Sequence, residues 1–536
     1  MGNYPPAGYP REPEQPKAIE GESIAKAYER LQVLRYHFVS RAHDNAALTI
    51  PAVMRPSQYT STTALDTPWQ STGAKGVNNL ASKLSLALFP PGLSFFRYDV
   101  NPFVLAQVAA EKGMDVKGLK SEIDQNVSVV ERQISRQIEA SGMRATLYEC
   151  FQHLLVTGNG VLYIKQDLGI RFYNLKEYVC LRDTSGNLIR LIMVDRIAKE
   201  MLPDEYKNID SKEDEQPLVY TDVIRIDQDT FEVRQEIFGQ RLATNTDGLT
   251  DAKIKEDKLP FIVLRFQQLS GESYGRAFVE DMLGDLAAHE GLRQALVEAA
   301  AAAAKLIFLV NPNGLTRPQD LSDAENGAYV SGSADDVSTL AMEKLHDFAF
   351  AAKENQEIKK DLEEQFLMSS AFRRDAERVT AEEIRMVQQQ LESSLGGVYS
   401  LLSEQLQLPL VNRMASVMER NEEIPPIPTG IMKPQITTGI EGLGRGADFQ
   451  NTVVAVQTLA GLVGPEALAV LLDNRELAMR LLTGAGVDAH SLLHTEQEVQ
   501  EINEENSKRA AMEAVAPQVA TGVSNIVRDQ TQPQKA

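Results

Sequence analysis

Residues 377–411 read ERVTAEEIRMVQQQLESSLGGVYSLLSEQLQLPLV and carry the clearest helical signal in the chain. Thr380, followed three residues later by Glu383, has the pattern of a capping box at a helix N-terminus. The apolar positions that follow are three or four residues apart, as on one face of a long amphipathic helix: Ile384, Val387, Leu391, Leu395, Val398, Leu402 and Leu406. We expect Gly396-Gly397 to bend this helix and Pro409 to kink or end it.

The region just upstream predicts two helices on either side of a small insert. The first is expected over 276–305, with Ser273 as its cap, and at about 1.5 Å per residue it would be roughly 45 Å long. The second is expected over 346–368. Short apolar runs between the two helices predict strands at 306–310, 328–330 and 337–340. Such an arrangement can place the insert at the tip of a helical stalk.

Six consecutive alanines, Ala299–Ala304, close the first of these two helices. Alanine favours the helix, and its small side chain lets a neighbouring element approach closely. Two interpretations remain open. The run packs either against another subunit or within its own subunit.

The segment 369–380 is polar and interrupts the helical pattern. It contains Phe372 and three arginines, Arg373, Arg374 and Arg378. Isolated cations of this kind can contact phosphates, and a phenylalanine beside them can form an apolar constriction. The alternative is that the arginines pair with neighbouring carboxylates and only shape the loop.

The remaining sequence predicts a mixture of helices and strands. Apolar spacing predicts helices over 24–38, 73–88, 104–140 and 144–156. Alternating apolar runs predict strands over 161–165, 170–173, 189–194, 218–225, 230–237 and 261–266. Alanine-rich helices are expected again over 448–462, 465–472 and 474–482. Residues 1–20 are rich in Pro and Glu, and we expect a flexible arm there rather than a secretory signal.

Charge limits the kind of nucleic-acid binding that this chain can perform. It has 54 basic and 75 acidic residues, a formal charge of −21 and a pI of about 4.9. A protein that grips DNA over most of its surface neutralises phosphates with Lys and Arg. We therefore expect contact with DNA only at local basic points. The sequence has no uninterrupted run of about 20 apolar residues, so we expect no membrane span.

No motif predicts an enzyme, a metal or a cofactor. Residues 271–276 are flanked by glycine but lack the Lys-Ser/Thr end of a P-loop. Residues 442–446 contain a GxGxG without the strand and acidic partner of a dinucleotide site. His490 and His494 stand at i, i+4 spacing without further ligands in a known pattern. Cys150 and Cys180 form neither a disulfide framework nor a zinc cluster.

Three groups of motifs, spread from about residue 24 to residue 447, resemble those of a known protein family. They are 65-LDTPWQ-70 with 76-GVNNLASKL-84 and 87-ALFP-90, then 271-GESYGR-276 with 283-LGDL-286, and finally the 377–411 segment quoted above. In order and spacing they are similar to the portal, or head-to-tail connector, proteins of short-tailed, autographivirus-type bacteriophages.

The resemblance implies an α+β, mainly helical portal fold that assembles as a dodecameric ring around a channel. Along this chain it implies a flexible arm 1–20, a wing 21–275, a first stem helix 276–305, a clip 306–345, a second stem helix 346–368, a tunnel loop 369–380, a long wing helix 381–428, and a crown with a helical extension 429–536. The channel residues would be Phe372, Arg373, Arg374 and Arg378, all in the tunnel loop.

The resemblance also implies a function and a set of partners. The ring would nucleate procapsid assembly in the host cytoplasm and remain at the portal vertex of the virion. Terminase would package the genome through it, the genome would later leave through it, and the tail would dock on it. The expected partners are double-stranded DNA, the terminase large subunit, the tail adaptor protein, the major capsid protein, the scaffold protein and internal core proteins. No cofactor and no membrane are expected.

Two other functions compete with this interpretation. A packaging ATPase of the terminase type needs a phosphate-binding loop, which the sequence lacks. An internal core or scaffold protein would also be acidic and helical. The strand-rich middle and the helix–insert–helix unit argue against a simple scaffold.

Overall fold

The computed structural model describes residues 22–56, 59–60, 62–91, 94–100, 104–107, 110, 116–198, 200, 217–242, 252–303, 308–339, 345–368, 381–427, 432–437, 453–459, 461–462 and 477–478. The chain divides into two compact units, 1–441 and 442–536. In the second unit the described residues are helical. All elements named below belong to the first unit.

The helices follow the apolar periodicity of the sequence closely. In chain order they are α1 (Ile24–Ala47), α2 (Thr72–Leu88), α3 (Val116–Ala140), α4 (Met143–Thr157), α5 (Leu283–Ala303), α6 (Pro318–Ser322), α7 (Leu345–Gln365), α8 (Ala381–Leu395), α9 (Val398–Leu402) and α10 (Leu408–Arg420). A π-helical turn, Ser403–Gln407, joins α9 to α10.

The strands form antiparallel sheets. They are β1 (Phe96–Val100), β2 (Asn159–Ile164), β3 (Ile170–Tyr173), β4 (Tyr178–Arg182), β5 (Leu188–Arg196), β6 (Leu218–Asp227), β7 (Thr230–Ile237), β8 (Gln240–Arg241), β9 (Ala252–Lys255), β10 (Phe261–Arg265), β11 (Phe308–Val310), β12 (Val337–Thr339) and β13 (Met432–Ile436). The largest sheet has the order β4-β5-β6-β7-β8, with β9 also paired to β7, and a second has the order β10-β2-β3. Two-stranded ribbons join β1 to β13 and β11 to β12.

A carboxylate in the largest sheet holds the start of α1. Glu236 of β7 is 4% exposed, and its carboxylate accepts hydrogen bonds from the backbone N–H groups of Ile24 (2.7 Å) and Ala25 (3.3 Å). The first N–H groups of a helix have no partner within the helix, and a negative charge is favourable there. Below this contact, Tyr28 and Leu31 pack on the sheet.

Helix α2 buries one face in the main core. Its apolar face is fully buried: Val77, Leu80, Ala81, Leu84, Ala87 and Leu88. The carbonyl groups at its C-terminal end accept hydrogen bonds from side chains far along the chain. Gln388 Nε2 (2.9 Å) and the Tyr399 hydroxyl (3.3 Å) both donate to the Ala87 carbonyl, and Gln407 donates to the Leu88 carbonyl. These contacts place α8, α9 and the π turn against α2.

Most of the sequence-based predictions of secondary structure are confirmed. The helices predicted at 73–88 and 144–156 match α2 and α4 to within one residue at each end, and α1 extends nine residues beyond the predicted end. The predicted strands correspond to β2, β3, β5, β6, β7 and β10. Of the helix predicted over 104–140, residues 104–107, 110 and 116–140 are helical, the last of these ranges being α3, while 108–109 and 111–115 lie outside the described residues.

The predicted start of the first stem helix at 276 is wrong. Arg276 instead pairs with Gln267 in a β-bridge, a 3-10 turn occupies Phe278–Met282, and α5 begins only at Leu283. Ser273 lies ten residues before the start of α5 and does not cap it, and its hydroxyl accepts a hydrogen bond from the Arg182 N–H at 3.2 Å. Packing against β4 therefore overrides the local helical signal.

Two further predictions differ from the structure. Residues 328–330 are not a strand, although the strands predicted at 306–310 and 337–340 are present as β11 and β12. Of the two outcomes expected at Pro409, a kink or an end of the helix, the end is wrong, because the helix continues in α10 to Arg420. A proline in a regular helix presses on the carbonyl group four residues earlier. Here that residue lies in the π turn, whose wider backbone accommodates the ring.

The bend predicted at Gly396-Gly397 is confirmed. The two glycines form the turn between α8 and α9, and Gly396 adopts a φ of +57°. Thr380, the first residue of the predicted capping box with Glu383, lies outside the described residues. Strand β13 falls within the segment expected to open the crown, but it pairs with β1 in the register Phe96 to Ile436. The first compact unit thus includes it.

Gly76 lets α2 approach the end of α7. A Cβ atom at this position would overlap the ring of Phe366, which is fully buried and also packs edge-on against Phe278 with ring centroids 5.8 Å apart. Gly291 of α5, by contrast, has open space where a Cβ atom would be.

We therefore expect Gly76→Ala and Gly291→Ala to have opposite effects on stability. Gly76→Ala should lower the free energy of unfolding by about 1–3 kcal/mol, because Phe366 must move in a closely packed core. Gly291→Ala should raise it by up to about 1 kcal/mol through helix propensity. Chemical denaturation of the two variants checks this. Equal stability of both would contradict the described packing.

Candidate functional site

A buried histidine joins the two helices of the stalk to α2. His289 of α5 is 3% exposed. Its Nδ1 lies 2.5 Å from Asn355 Oδ1 on α7, and its Nε2 lies 3.1 Å from the Thr72 hydroxyl on α2. In a neutral imidazole, Nδ1 donates to the Asn355 oxygen and Nε2 accepts from Thr72. The next residue, Glu290, accepts hydrogen bonds from the backbone N–H groups of Trp69 and Gln70. These contacts fix one end of the helix pair.

The insert between α5 and α7 is organised by one carboxylate. Asp336 Oδ2 accepts hydrogen bonds from the backbone N–H groups of Leu315 (2.8 Å) and Thr316 (3.2 Å) and from the Thr316 hydroxyl (3.1 Å). The backbone carbonyl of Asp336 accepts a further bond from the N–H of Asn311. Polar contacts rather than an apolar core thus hold the turn after β11 against the start of β12.

The insert leaves its large apolar side chains in solvent. Among the described residues 308–338, Thr316 alone is buried. The exposed apolar residues include Phe308 at 55%, Leu309 at 50%, Leu315 at 86% and Tyr329, which is fully exposed. Soluble monomers rarely display so many large apolar groups on so small a segment. This surface is suited to contact with another protein chain.

The alanine run of α5 is also exposed. Ala300–Ala303 are exposed and Ala299 is partly buried, while Ala304 lies outside the described residues. The interpretation in which the run is buried within its own subunit is therefore wrong for the described alanines. Their small side chains are free to meet a surface outside the chain.

The four predicted channel residues lie outside the described residues. Phe372, Arg373, Arg374 and Arg378 belong to the segment 369–380, between the end of α7 and the start of α8. On the α7 side, Asn79 of α2 donates to the carbonyl groups of Phe366 (3.0 Å) and Leu367 (3.1 Å).

On both sides of that segment the chain contacts Lys83 of α2. Its ammonium donates to the carbonyl of Leu367 at 2.7 Å and to Oε1 of Gln390 on α8 at 3.1 Å. Burial lowers the pKa of Lys83 below its usual value.

Sequence reasoning missed Lys83, His289 and Asp336. Each of the three forms hydrogen bonds to residues that are distant in the sequence or lie in a turn. Lys83 lies 284 residues from Leu367, and His289 lies 66 residues from Asn355. The only available signal was an ammonium at an otherwise apolar stretch of α2, where the sequence reads 80-LASKLSLAL-88.

A known protein family matches most of this chain. The family model described as bacteriophage head to tail connecting protein matches residues 21–493. That range includes the stalk helices, the insert and the long helix.

The chain belongs to this family.

Curated relatives support the assignment along nearly the whole chain. The portal protein of Enterobacteria phage T3 is 36% identical over 94% of this chain and 94% of its own length. The portal protein of Escherichia phage T7 is 35% identical over 95% of both chains. Among solved structures, a chain in the neck of an empty GTA particle has 12% identity and a TM-score of 0.37, covering 78% of this chain and 90% of its own.

As a member of the connector family, this chain is a structural portal component of the phage virion and not an enzyme. An internal core or scaffold protein is not favoured. In the part of the chain that the structure describes, no helix combines the length and apolar character needed to cross a bilayer. Cys150 and Cys180 are both buried and free.

The role of Asp336 in the insert can be tested by hydrogen exchange. Asp336→Ala should increase the exchange rates of the Leu315 and Thr316 amides by roughly tenfold to a hundredfold, because a bond to a charged acceptor contributes about 1.5–3 kcal/mol. Asp335→Ala, at the exposed neighbouring position, is the matched control and should leave these amides unchanged. Identical exchange in the two variants would contradict the role of the carboxylate.

Proposed function

We propose that twelve copies of this chain form a ring around a channel through which double-stranded DNA enters and leaves the phage head. The observation that carries this proposal is the stalk, in a chain that matches the connector family over residues 21–493. Its two helices are joined at His289 and Asn355, and they carry an insert without an apolar core of its own. Such a unit gains an apolar environment when copies stand side by side.

In this proposal α5 and α7 form the stem, 306–345 the clip and 369–380 the tunnel loop. The wing comprises the remaining elements up to residue 428, and the crown follows from 429, with β13 packed on the wing strand β1. The exposed alanines of α5 support a close approach of the neighbouring stem. Small side chains let two helices pack with little distance between their backbones.

The charge of the stem supports passage of DNA rather than tight binding. Helix α7 has six carboxylates and three lysines, and α5 has three carboxylates and one arginine. Two of the α7 lysines, Lys353 and Lys359, lie 3.7 Å and 3.6 Å from the carboxylates of Glu357 and Glu363. A wall with excess negative charge repels phosphates and keeps adhesion low. Arg373 and Arg374 would supply the local basic contacts, with Phe372 as a constriction and Arg378 as a further candidate.

The exposed apolar and acidic surface of the insert supports docking at the clip end. We assign this end to the terminase large subunit during packaging and to the tail adaptor protein afterwards. The wing and crown would contact the major capsid protein, the scaffold protein and internal core proteins. The ring would thereby nucleate procapsid assembly in the host cytoplasm and stay at the portal vertex.

Electron microscopy of the purified protein tests the ring and the stem contact together. The unchanged protein should form rings with a central hole. Ala302→Leu should reduce the fraction of complete rings, because a larger side chain on a close helix contact overpacks it. Ala302→Ser, which stays small, should assemble like the unchanged protein.

Since Ala302 is exposed in the single subunit, a loss of rings in Ala302→Leu would not come from a clash within the chain. Normal assembly of both variants would place the alanine run away from the subunit contact. Absence of rings from the unchanged protein would count against the whole proposal.

The tunnel-loop assignment has a separate test. Replacing Arg373 and Arg374 together with alanine should impair packaging or retention of DNA in particles while leaving ring formation intact. Replacing Arg293, the exposed arginine of α5, with alanine is the control for loss of a positive charge elsewhere. Rings that fail to form in the double variant would mean that the two arginines have a structural role instead.

A further inference from the structure

Helix α2 contacts the chain on both sides of the segment 369–380. On one side, Phe366 packs over Gly76, and Asn79 and Lys83 bind the carbonyl groups that follow α7. On the other side, Lys83 binds the side chain of Gln390 on α8. The same ammonium therefore holds an oxygen from the chain before this segment and an oxygen from the chain after it.

The chain that leaves α7 has a defined geometry at this contact. Leu367 adopts a φ of +54°, which is rare for a residue with a branched side chain. The N–H of Met368 donates to the carbonyl of Glu363 at 2.8 Å, and the N–H of Leu367 donates to that of Glu364. This turn ends the helix and directs the Leu367 carbonyl towards Lys83.

Burying a lysine at this position costs free energy unless its ammonium finds hydrogen-bond acceptors. Lys83 is only 7% exposed, and burial penalises its charged form. The carbonyl groups at the end of a helix carry partial negative charge, and a cation there is favourable. An ammonium also has three donors, so it can bind several oxygens at once. A neutral side chain of similar length fills the same space but cannot join the two elements.

We propose that Lys83 is a positioning residue of the DNA channel, which fixes the separation of the two chain ends from which the segment 369–380 extends. The proposal rests on the proposed function of that segment as the tunnel loop. The ammonium acts through the Leu367 carbonyl and the Gln390 side chain, and it does not contact DNA. Its loss lets the two attachment points move independently.

A purely structural role within α2 is the competing explanation, and it makes a different prediction about Gln390. If Lys83 only stabilised α2, replacing Gln390 would not reproduce the effect of replacing Lys83. If the ammonium joins the two elements, loss of either partner has the same consequence, and loss of both adds little more.

The variants are Lys83→Met, Gln390→Leu and the double variant, each studied as assembled rings. Lys83→Met keeps most of the volume and the apolar stem of the side chain but removes the charge. Gln390→Leu removes the acceptor at a partly buried position and leaves the ammonium in place. Gln390→Glu keeps an oxygen acceptor and serves as the conservative rescue. Lys75→Met, on an exposed position of the same helix, is the control for the loss of a lysine from α2.

The first measurement is hydrogen exchange at the amides of residues 366–368 and 384–391. Lys83→Met and Gln390→Leu should each increase exchange by about tenfold, and the double variant should exceed either one by less than about threefold. Gln390→Glu and Lys75→Met should match the unchanged protein. Independent effects that multiply in the double variant, or no effect of Gln390→Leu, would overturn the proposal in favour of a role confined to α2. If Lys83→Met fails to fold, Gln390→Leu against Gln390→Glu decides the same question.

The second measurement is DNA retention in particles, with the Arg373/Arg374 double variant alongside. Lys83→Met and Gln390→Leu should reduce retention while rings still form. Normal retention in both, together with a defect in the arginine variant, would overturn the positioning role and leave the proposed function standing. Normal retention in the arginine variant as well would show that the tunnel-loop assignment itself is wrong, and the channel role of Lys83 would fail with it.

Discussion

The first compact unit depends on one constraint, which is that a helix buried along its length must have its terminal polar groups satisfied by other parts of the chain. Both ends of α2 are buried, so its first N–H groups and its last carbonyl groups need hydrogen-bond partners from other parts of the chain. The side chains of Gln388, Tyr399 and Gln407 supply donors at the C-terminal end. Near the other end, Gln70 donates to the Leu48 carbonyl and accepts from the Gly73 N–H. The positions of α1, α8, α9 and the stalk follow from meeting these requirements together.

The elements set by local periodicity could be predicted from the sequence, whereas elements set by distant partners could not. The amphipathic pattern from Ile384 to Leu406 corresponds to α8, α9 and the π turn, because spacing of three or four residues is a property of the segment itself. The region around Ser273 shows the limit. Its hydroxyl suits a helix cap, but α5 begins only at Leu283, and the hydroxyl accepts a hydrogen bond from the backbone N–H of Arg182. Similarly, Pro409 predicts a kink or an end of the helix, but the chain continues through the π turn into α10.

In the candidate site, too, local sequence patterns predicted some features, and contacts with distant residues determined the others. The helix–insert–helix order was visible in the sequence because each part has its own pattern. Lys83, His289 and Asp336 were not visible, because a buried polar residue is identified by its partners, and those partners are fixed only by the fold. Arg373, Arg374 and Arg378 are assigned to a tunnel loop only by composition and family resemblance, and this role remains a prediction. Here the structure contributes the anchoring of the chain on either side of them.

The long separation between α2 and its partners also sets a condition on how the protein is made. The donor to the Leu88 carbonyl, Gln407, is synthesised 319 residues later, and β1 cannot pair until β13 has been made. At typical synthesis rates of about 5–20 residues per second, a nascent chain carries an unfinished α2 for on the order of half a minute. Over that interval α4, which follows soon after α2 in the chain, can cover part of its apolar face, but the carbonyl groups at its C-terminal end lack their native donors. The first compact unit can therefore complete its fold only after the last third of the chain has begun to emerge.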